Sequence, residues 1–313
     1  MIKRAMRMVV SHCHGMQGRC GKPQSKVQLT ETRVICAPTI VSRPCSMGRD
    51  SVRGDEAVKA CQKARGGAGA HEFVHVDAAL LSNIRAAAAT FSATHDRLDA
   101  LVLTQSIASM DGRTETAEGI DKKLALHYFG RFEFTEALLP LLRRGPAPRV
   151  MSVLSAGVHS VYPNAVDDFE LRTHYSLKNA ADAAGLYNDA GLDGLAHEAT
   201  NSRVAFIHAA PGFVNTAWGT DLPWYARYAV RMLQPLGRSA ADCAEYLVGP
   251  ILRPDTATGA VVLIGQDGQT VKAAHTAVHA PLLQMTREVN ARALASAAAK
   301  ASAATPAASA ASK

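Results

Sequence analysis

The sequence predicts a doubly wound α/β domain built on a parallel sheet, and three observations predict it. Short β-rich runs alternate with longer helix-patterned runs from residue 37 to residue 292. The strand candidates are almost continuously apolar, as in 98–104 (LDALVLT) and 259–265 (GAVVLIG), which suits a sheet covered by helices on both faces. With 48% hydrophobic and 19% charged residues over 313 positions, the chain has enough apolar material for such a core, and a mainly disordered chain is excluded.

The elements follow in order. Residues 38–42 (PTIVS) read as a short strand and 55–63 as a polar helix ended by Gly66-Gly67. Residues 72–77 (EFVHVD) are a strand, 80–91 an Ala-rich helix and 98–104 an apolar strand. A long helical stretch covers 118–144, with Leu124, Phe129, Phe132, Leu138 and Leu142 as its apolar residues. Strand 149–155 (RVMSVLS), helix 176–198, strand 203–209 (RVAFIHA), helix 240–252 and strand 259–265 complete the alternation.

Two flanks stand apart. Residues 1–36 show no period and form a basic, atypical leader in which the first βα unit is missing or atypical. Residues 293–313 are almost entirely Ala, Ser and Lys with Pro306, and are expected to be a frayed, disordered tail. The formal net charge is +7, but Lys3, Arg4, Arg7, Arg19, Lys22, Lys26 and Arg33 against Glu31 place +6 of it in the leader. The body therefore offers no basic stripe, and nucleic acid is not expected as a partner.

No run of about 18 uncharged apolar residues is present, so a transmembrane helix is not expected. Five of the six cysteines lie within the first 61 residues, and a chain of this length needs no disulfide staples. A reducing, cytoplasmic setting is expected. The basic, nearly acid-free leader keeps a mitochondrial address as the lesser alternative, against which stand its low Ser content and the helix-breaking Gly21-Lys22-Pro23. His12, Cys13, His14 and Cys20 have metal-ligand chemistry but lack a second cluster across a loop, so no metal site is expected.

In open α/β sheets, ligands bind beyond the carboxyl ends of the strands. That rule alone singles out Arg43, Asp77, Gln105, Ser155 and Pro211-Gly212. Read together, these strand ends resemble the short-chain dehydrogenase/reductase family, nearest its retinol-dehydrogenase-like branch, over roughly 37–292. Ile40-Val41-Ser42-Arg43 looks like the second strand, Val76-Asp77 like the third, and Thr116-Ala117-Glu118-Gly119-Ile120 like the stretch opening the fourth helix. Residues 149–155 look like the strand ending in the catalytic Ser, and Pro211-Gly212-Phe213-Val214-Asn215-Thr216 matches the P-G-x-V-x-T segment.

The resemblance implies a Rossmann-like fold and an NAD(P)-dependent oxidoreductase interconverting an alcohol and a carbonyl. It implies NADP as cofactor, with NAD as the other candidate. Arg43 and Asp77 would hold the adenosine end, Gln105 and Ser106 the middle, and Pro211, Gly212 and Thr216 the nicotinamide end. Ser155 would orient the substrate oxygen, while Tyr175 with Lys178 would exchange the proton. Free Tyr ionises near ~10, so a neighbouring cation must lower that value for work at neutral pH.

Three features depart from the family pattern. Around Gly15 and Gly18, the nearest counterpart of the phosphate-binding turn puts His12 and Met16 where glycines belong. Leu103-Thr104-Gln105-Ser106 stands for N-N-A-G, and His127 for the Asn that helps hold a relay water. The third is the proton-transfer pair: Tyr175 and Lys178 are three apart where the family has four, and Ser176 resembles a helix N-cap. A gap-free alternative puts the catalytic Tyr on Ala181 and the Lys on Gly185, with Tyr187 as packing. His159 and His174 are then the nearby groups able to titrate near neutrality.

Residues 218–236 (WGTDLPWYARYAVRMLQPL) read as a substrate lid, a helix packed on the body, or a membrane-surface helix. Two functions follow: an oxidoreductase acting on a hydrophobic small molecule, or a noncatalytic relative that binds a ligand or partner. A homo-oligomer is compatible with either.

Overall fold

The structure is a computed structural model that describes residues 45–64, 71–216, 219, 221–253, 255–272 and 279–304. The leader and its first βα unit, the strand reading at 38–42, Arg43 and the His12–Cys20 cluster lie outside these residues.

Strand β1 (Cys45–Gly48) runs parallel to β2 (Glu72–His75), with Cys45 opposite Glu72. Helix α1 (Ser51–Ala64) connects them. It lies close to β2 because Gly54 has no side chain: a Cβ there would come within 2.2 Å of the Phe73 ring. The strand that pairs with β2 and precedes α1 ends at Gly48, and the residue after it is Arg49.

Helix α2 (Leu81–Thr94) buries Leu81, Ile84, Ala87, Ala88 and Phe91, the one-face spacing of an amphipathic helix. Its free N-terminal N–H groups are capped from a distance. Glu118 accepts from the backbone of Leu81 (2.6 Å) and Ser82 (2.9 Å), placing a carboxylate at the positive end of the helix. The T-x-E-G stretch is thus a tight turn, with Gly119 at φ 81, that presents this cap.

A second sheet is all parallel, in the order β3 (Ala100–Leu103), β4 (Arg149–Val153), β5 (Ala205–Ala209), β8 (Val261–Ile264). Strand β5 is buried along its whole length, as the continuous apolar pattern requires. The predicted long helix is interrupted. Asp121 caps α3 (Lys122–Leu124), a π-helical turn covers Ala125–Phe129, and α4 (Gly130–Leu142) follows. Gly130 marks a close approach: a Cβ would meet the carbonyl oxygens of Ala125 at 2.7 Å and Ala78 at 2.8 Å.

Helix α5 (Leu177–His197) is capped by Ser176 and is buried from Asp182 to Ala196. One side faces β5 and the other faces α8 (His279–Ala304). The C-terminal reading needs correction here, because 293–304 is helix rather than frayed tail. Ala is the strongest helix former, Ala293 is buried, and the Lys300 ammonium reaches the carbonyl of Ala117. Tyr128 Oη and Thr286 Oγ1 are 2.5 Å apart, and Arg287 bridges Glu136 and Glu198 at 2.7 Å each, fixing α8 to the body.

After β5 the chain forms β6 (Val214–Asn215), helix α6 (Trp224–Leu233), a 3-10 turn Gln234–Leu236, β7 (Arg238–Ser239) paired with β6, and α7 (Ala240–Leu252). No residue of α6 is buried, so the reading of 218–236 as a helix packed on the body does not hold for α6.

Candidate active site

Ser155 lies two residues beyond the end of β4, on the carboxyl edge of the sheet. Its backbone is held on both sides by imidazoles. The Ser155 N–H donates to His208 Nε2 (3.1 Å), and His159 Nδ1 lies 3.0 Å from the Ser155 carbonyl oxygen. Both rings meet one carboxylate: His208 Nδ1 is 2.5 Å from Asp189 Oδ1, and His159 Nε2 is 3.3 Å from Asp189 Oδ2. The Ser155 hydroxyl itself is sheltered and finds no partner among the described residues, leaving it available to a ligand oxygen.

The protonation states follow from these contacts. His208 accepts at Nε2, so its proton is on Nδ1 and it is neutral; burial is the main cause that lowers its pKa below 6.5. Burial also opposes charge on His159. There it is outweighed by the hydrogen bonds to Asp189 and Ser155 and by the charges of Asp189 and Asp182, and the pKa is raised. Asp189 is buried, yet both imidazoles hold it below the ordinary carboxylate value. Gly185 makes this arrangement sterically feasible, because a Cβ there would lie 2.4 Å from the His159 ring.

Tyr175 and Lys178 are not brought together as a proton-transfer pair. Tyr175 precedes the Ser176 cap, and its hydroxyl has no hydrogen-bond partner among the described residues. Burial and the charge of Asp121 push its pKa up to about 12, away from what proton exchange at neutral pH needs. The cation near its ring is Lys123, 5.7 Å from the centroid. Lys178 points to solvent and pairs with Asp182 at 2.5 Å, one turn along α5. His174 is held at its backbone by Asp168 (2.7 Å) and lies apart from the Ser155 clamp.

A second polar network lies under the site. Arg131 is buried, has no carboxylate contact among the described residues, and donates to the carbonyls of Leu103, Val153 (2.9 Å) and Gln105 (2.5 Å) and to Ser152 Oγ (2.8 Å). Burial lowers its pKa to about 9, so it remains cationic at neutral pH. Ser152 Oγ donates to Asn188 Oδ1 (2.6 Å), and Asn188 Nδ2 donates to the His127 carbonyl (2.8 Å). His127 Nε2 accepts from the Ile107 N–H (3.1 Å) and sits 3.1 Å from Ser106 Oγ. Burial, then the charges of Arg131 and Lys123, press its pKa down to about 3, which fixes a neutral imidazole.

The remaining described residues among those predicted follow the carboxyl ends of their own strands. Asp77 follows β2 and lies 3.9 Å from Arg49, an ion pair spanning the ends of β1 and β2. The Gln105 side-chain amide is fully buried, and neither of its polar atoms has a partner among the described residues; Arg49 Nε is a further buried donor without one. Gly212 adopts φ 70 in the turn after β5, and Pro211 accepts a contact from Cys243 Sγ at 3.6 Å. The Thr216 carbonyl accepts from Gln234 Nε2 at 2.5 Å, tying this turn to the segment after α6.

Sequence reasoning passed over Arg49, Arg131, Asn188, Asp189 and His208. A signal was present for one of them. Asp182, Asp189 and Asp193 recur at spacings of seven and four along one face of an otherwise apolar helix, and a carboxylate on a buried face needs a partner. For Arg131, only its place inside an apolar helical run hinted at burial.

The parallel sheet flanked by helices, with Ser155 and its polar neighbours beyond a strand end, defines an α/β protein of Rossmann-like architecture. No protein-family model matches the chain. It is 35% identical over 148 residues to an oxidoreductase of Emericella nidulans, covering 47% of this chain and 43% of that one. It is 30% identical over 191 residues to the polyprenol dehydrogenase of Mus musculus, covering 59% and 56%. A short-chain dehydrogenase/reductase from Serratia marcescens superposes with a TM-score of 0.52 at 16% identity, covering 72% of this chain and 86% of that one. The chain spans about half the length of these two curated relatives. The chain is similar in sequence and in fold to short-chain dehydrogenases/reductases.

Proposed function

We propose that the chain is an NADP-dependent oxidoreductase that interconverts an alcohol and a carbonyl on a hydrophobic small molecule. The observation carrying this reading is Ser155, whose hydroxyl has no partner among the described residues and whose backbone is fixed at the carboxyl end of a central strand. The names of the relatives, an oxidoreductase and a polyprenol dehydrogenase, support the same class.

The described residues fit a dinucleotide. Arg49 Nε and the Gln105 amide are buried polar groups without partners, each beside a strand end where a ligand would complete their hydrogen bonds. Arg49 takes the phosphate-reading role first expected of Arg43, with Asp77 beside it for the adenosine. Ser106, next in the chain to Gln105 and 3.1 Å from His127 Nε2 through its hydroxyl, would contact the middle of the cofactor. Gly212 lets the turn containing Pro211 and Thr216 adopt a left-handed conformation, and that turn would hold the nicotinamide end. When bound, this cofactor supplies or takes the hydride.

The chain's own residues do the rest. Ser155 Oγ donates to the substrate oxygen and orients it. Trp224, Tyr225, Tyr228, Met232, Leu233 and Leu236 are exposed on and after α6, just beyond Thr216, and form an apolar cover for a hydrophobic substrate.

Titrating the protein with NADPH, followed by nicotinamide fluorescence, tests the reading. Saturable binding that prefers NADPH over NADH, and loses that preference in Arg49→Ala, is expected. Absence of binding up to millimolar cofactor would refute it.

A further inference from the structure

We infer that His159, Asp189 and His208 form a charged clamp that positions Ser155 and places a fixed imidazolium behind the substrate oxygen. The inference rests on the oxidoreductase reading for its purpose, while its geometry stands independently. The two peptide groups flanking Ser155 are each held by a different ring, one accepting from its N–H and one facing its carbonyl oxygen. One carboxylate bridges the two rings, whose centroids are 6.3 Å apart. With both peptide groups held, rotation about χ1 is the main freedom left to Ser155.

The charge distribution gives the clamp its chemistry. His159 has an oxygen facing each nitrogen, the Ser155 carbonyl at Nδ1 and Asp189 at Nε2, which is the environment of a doubly protonated ring. His208 has an N–H donor facing Nε2, which requires a neutral ring. The groups facing the clamp are Asp182 and Asp189 from α5 and His208 from β5; Arg131 acts on His208 from α4. Asp182 is itself neutralised by Lys178 and by the Ser160 N–H. One added proton is therefore shared between two imidazoles, and geometry places it on His159.

An imidazolium beside Ser155 favours negative charge on an oxygen bound to the Ser155 hydroxyl. That is the charge an alcohol oxygen develops as it loses its proton, or a carbonyl oxygen as it accepts hydride. The ring also occupies the space above Gly185, where any side chain would displace it. His159, Asp189 and His208 are positioning residues, since they reach the substrate only through Ser155.

The test is a side-chain 15N–1H titration of the histidines in the full chain without cofactor, with His159 assigned by its loss in His159→Gln. The clamp predicts that both His159 nitrogens are protonated at pH 7. It also predicts that Asp189→Asn lowers the His159 midpoint from its native value. A neutral His159 at pH 7 in the native protein would overturn the inference, whatever the enzyme does. Should Asp189→Asn fail to fold, Gly185→Ala provides the second variant, because it displaces the ring and leaves the carboxylate; an unchanged His159 titration there would also overturn it. If turnover is measurable, His159→Gln is expected to lower kcat at least tenfold with the NADPH Kd unchanged and the alkaline limb of the kcat profile lost. NADPH binding failure with an intact imidazolium would refute the oxidoreductase reading and leave the clamp standing.

Discussion

At the scale of single residues, the site is governed by which polar groups have partners. Gly185 is conformationally ordinary, yet it is the position where a methyl group would do most harm to the site. A Cβ would meet a tethered, buried ring with no room to turn. Gly185→Ala is expected to cost about 1–3 kcal/mol, read as a lower denaturation midpoint at unchanged m-value. Arg131 carries a larger share. Arg131→Met is expected to cost about 2–4 kcal/mol, because it leaves the carbonyls of Gln105, Leu103 and Val153 and the Ser152 hydroxyl short of a donor. Ser155 and Asp77 were legible in the sequence because each closes a strand-like run, 149–155 and 72–77. The clamp was not, since Asp189 and His208 are separated along the chain and meet only when α5 lies on β5.

At the scale of elements, the alternation was legible where the strand runs are buried on both faces, as in 100–103 (ALVL). The strand at 45–48 was not legible, because CSMG holds no strong β-former and only its pairing with β2 reveals it. The π-helical turn at Ala125–Phe129 was not legible, because its cause is tertiary. Gly130 brings the helix against the Ala78 carbonyl, and His127 turns in to accept from Ile107. Helix α6 was readable as amphipathic, but its exposure was not. Replacing Trp224 and Tyr228 together by Ser is expected to raise KM for a long-chain substrate about tenfold or more. Stability and NADPH affinity should stay unchanged, since neither side chain is buried. A loss of stability instead would show that α6 packs on the body.

At the scale of the whole molecule, α8 closes the structure by covering α5, and the clamp couples stability to pH. His159 has a raised pKa, so its contribution is complete below 6.5 and is lost as pH rises through the folded value. Asp189 has a lowered pKa, so its contribution is complete above 3.8 and is lost as pH falls through the folded value. His208, held neutral with a lowered pKa, makes stability fall as pH drops through 6.5. Thermal unfolding across pH should therefore show a maximum near neutrality. The alkaline fall should flatten in His159→Gln and the acid fall in His208→Gln.

The most direct measurement is NADPH oxidation in the presence of a long-chain aldehyde, comparing the native chain with Ser155→Ala. Turnover by the native protein, a loss of about 100-fold in kcat for the variant, and the same NADPH affinity in both are expected. A protein that binds NADPH yet turns over no hydrophobic aldehyde or alcohol, with Ser155→Ala indistinguishable from it, would contradict the assignment of Ser155 and make the chain a noncatalytic relative.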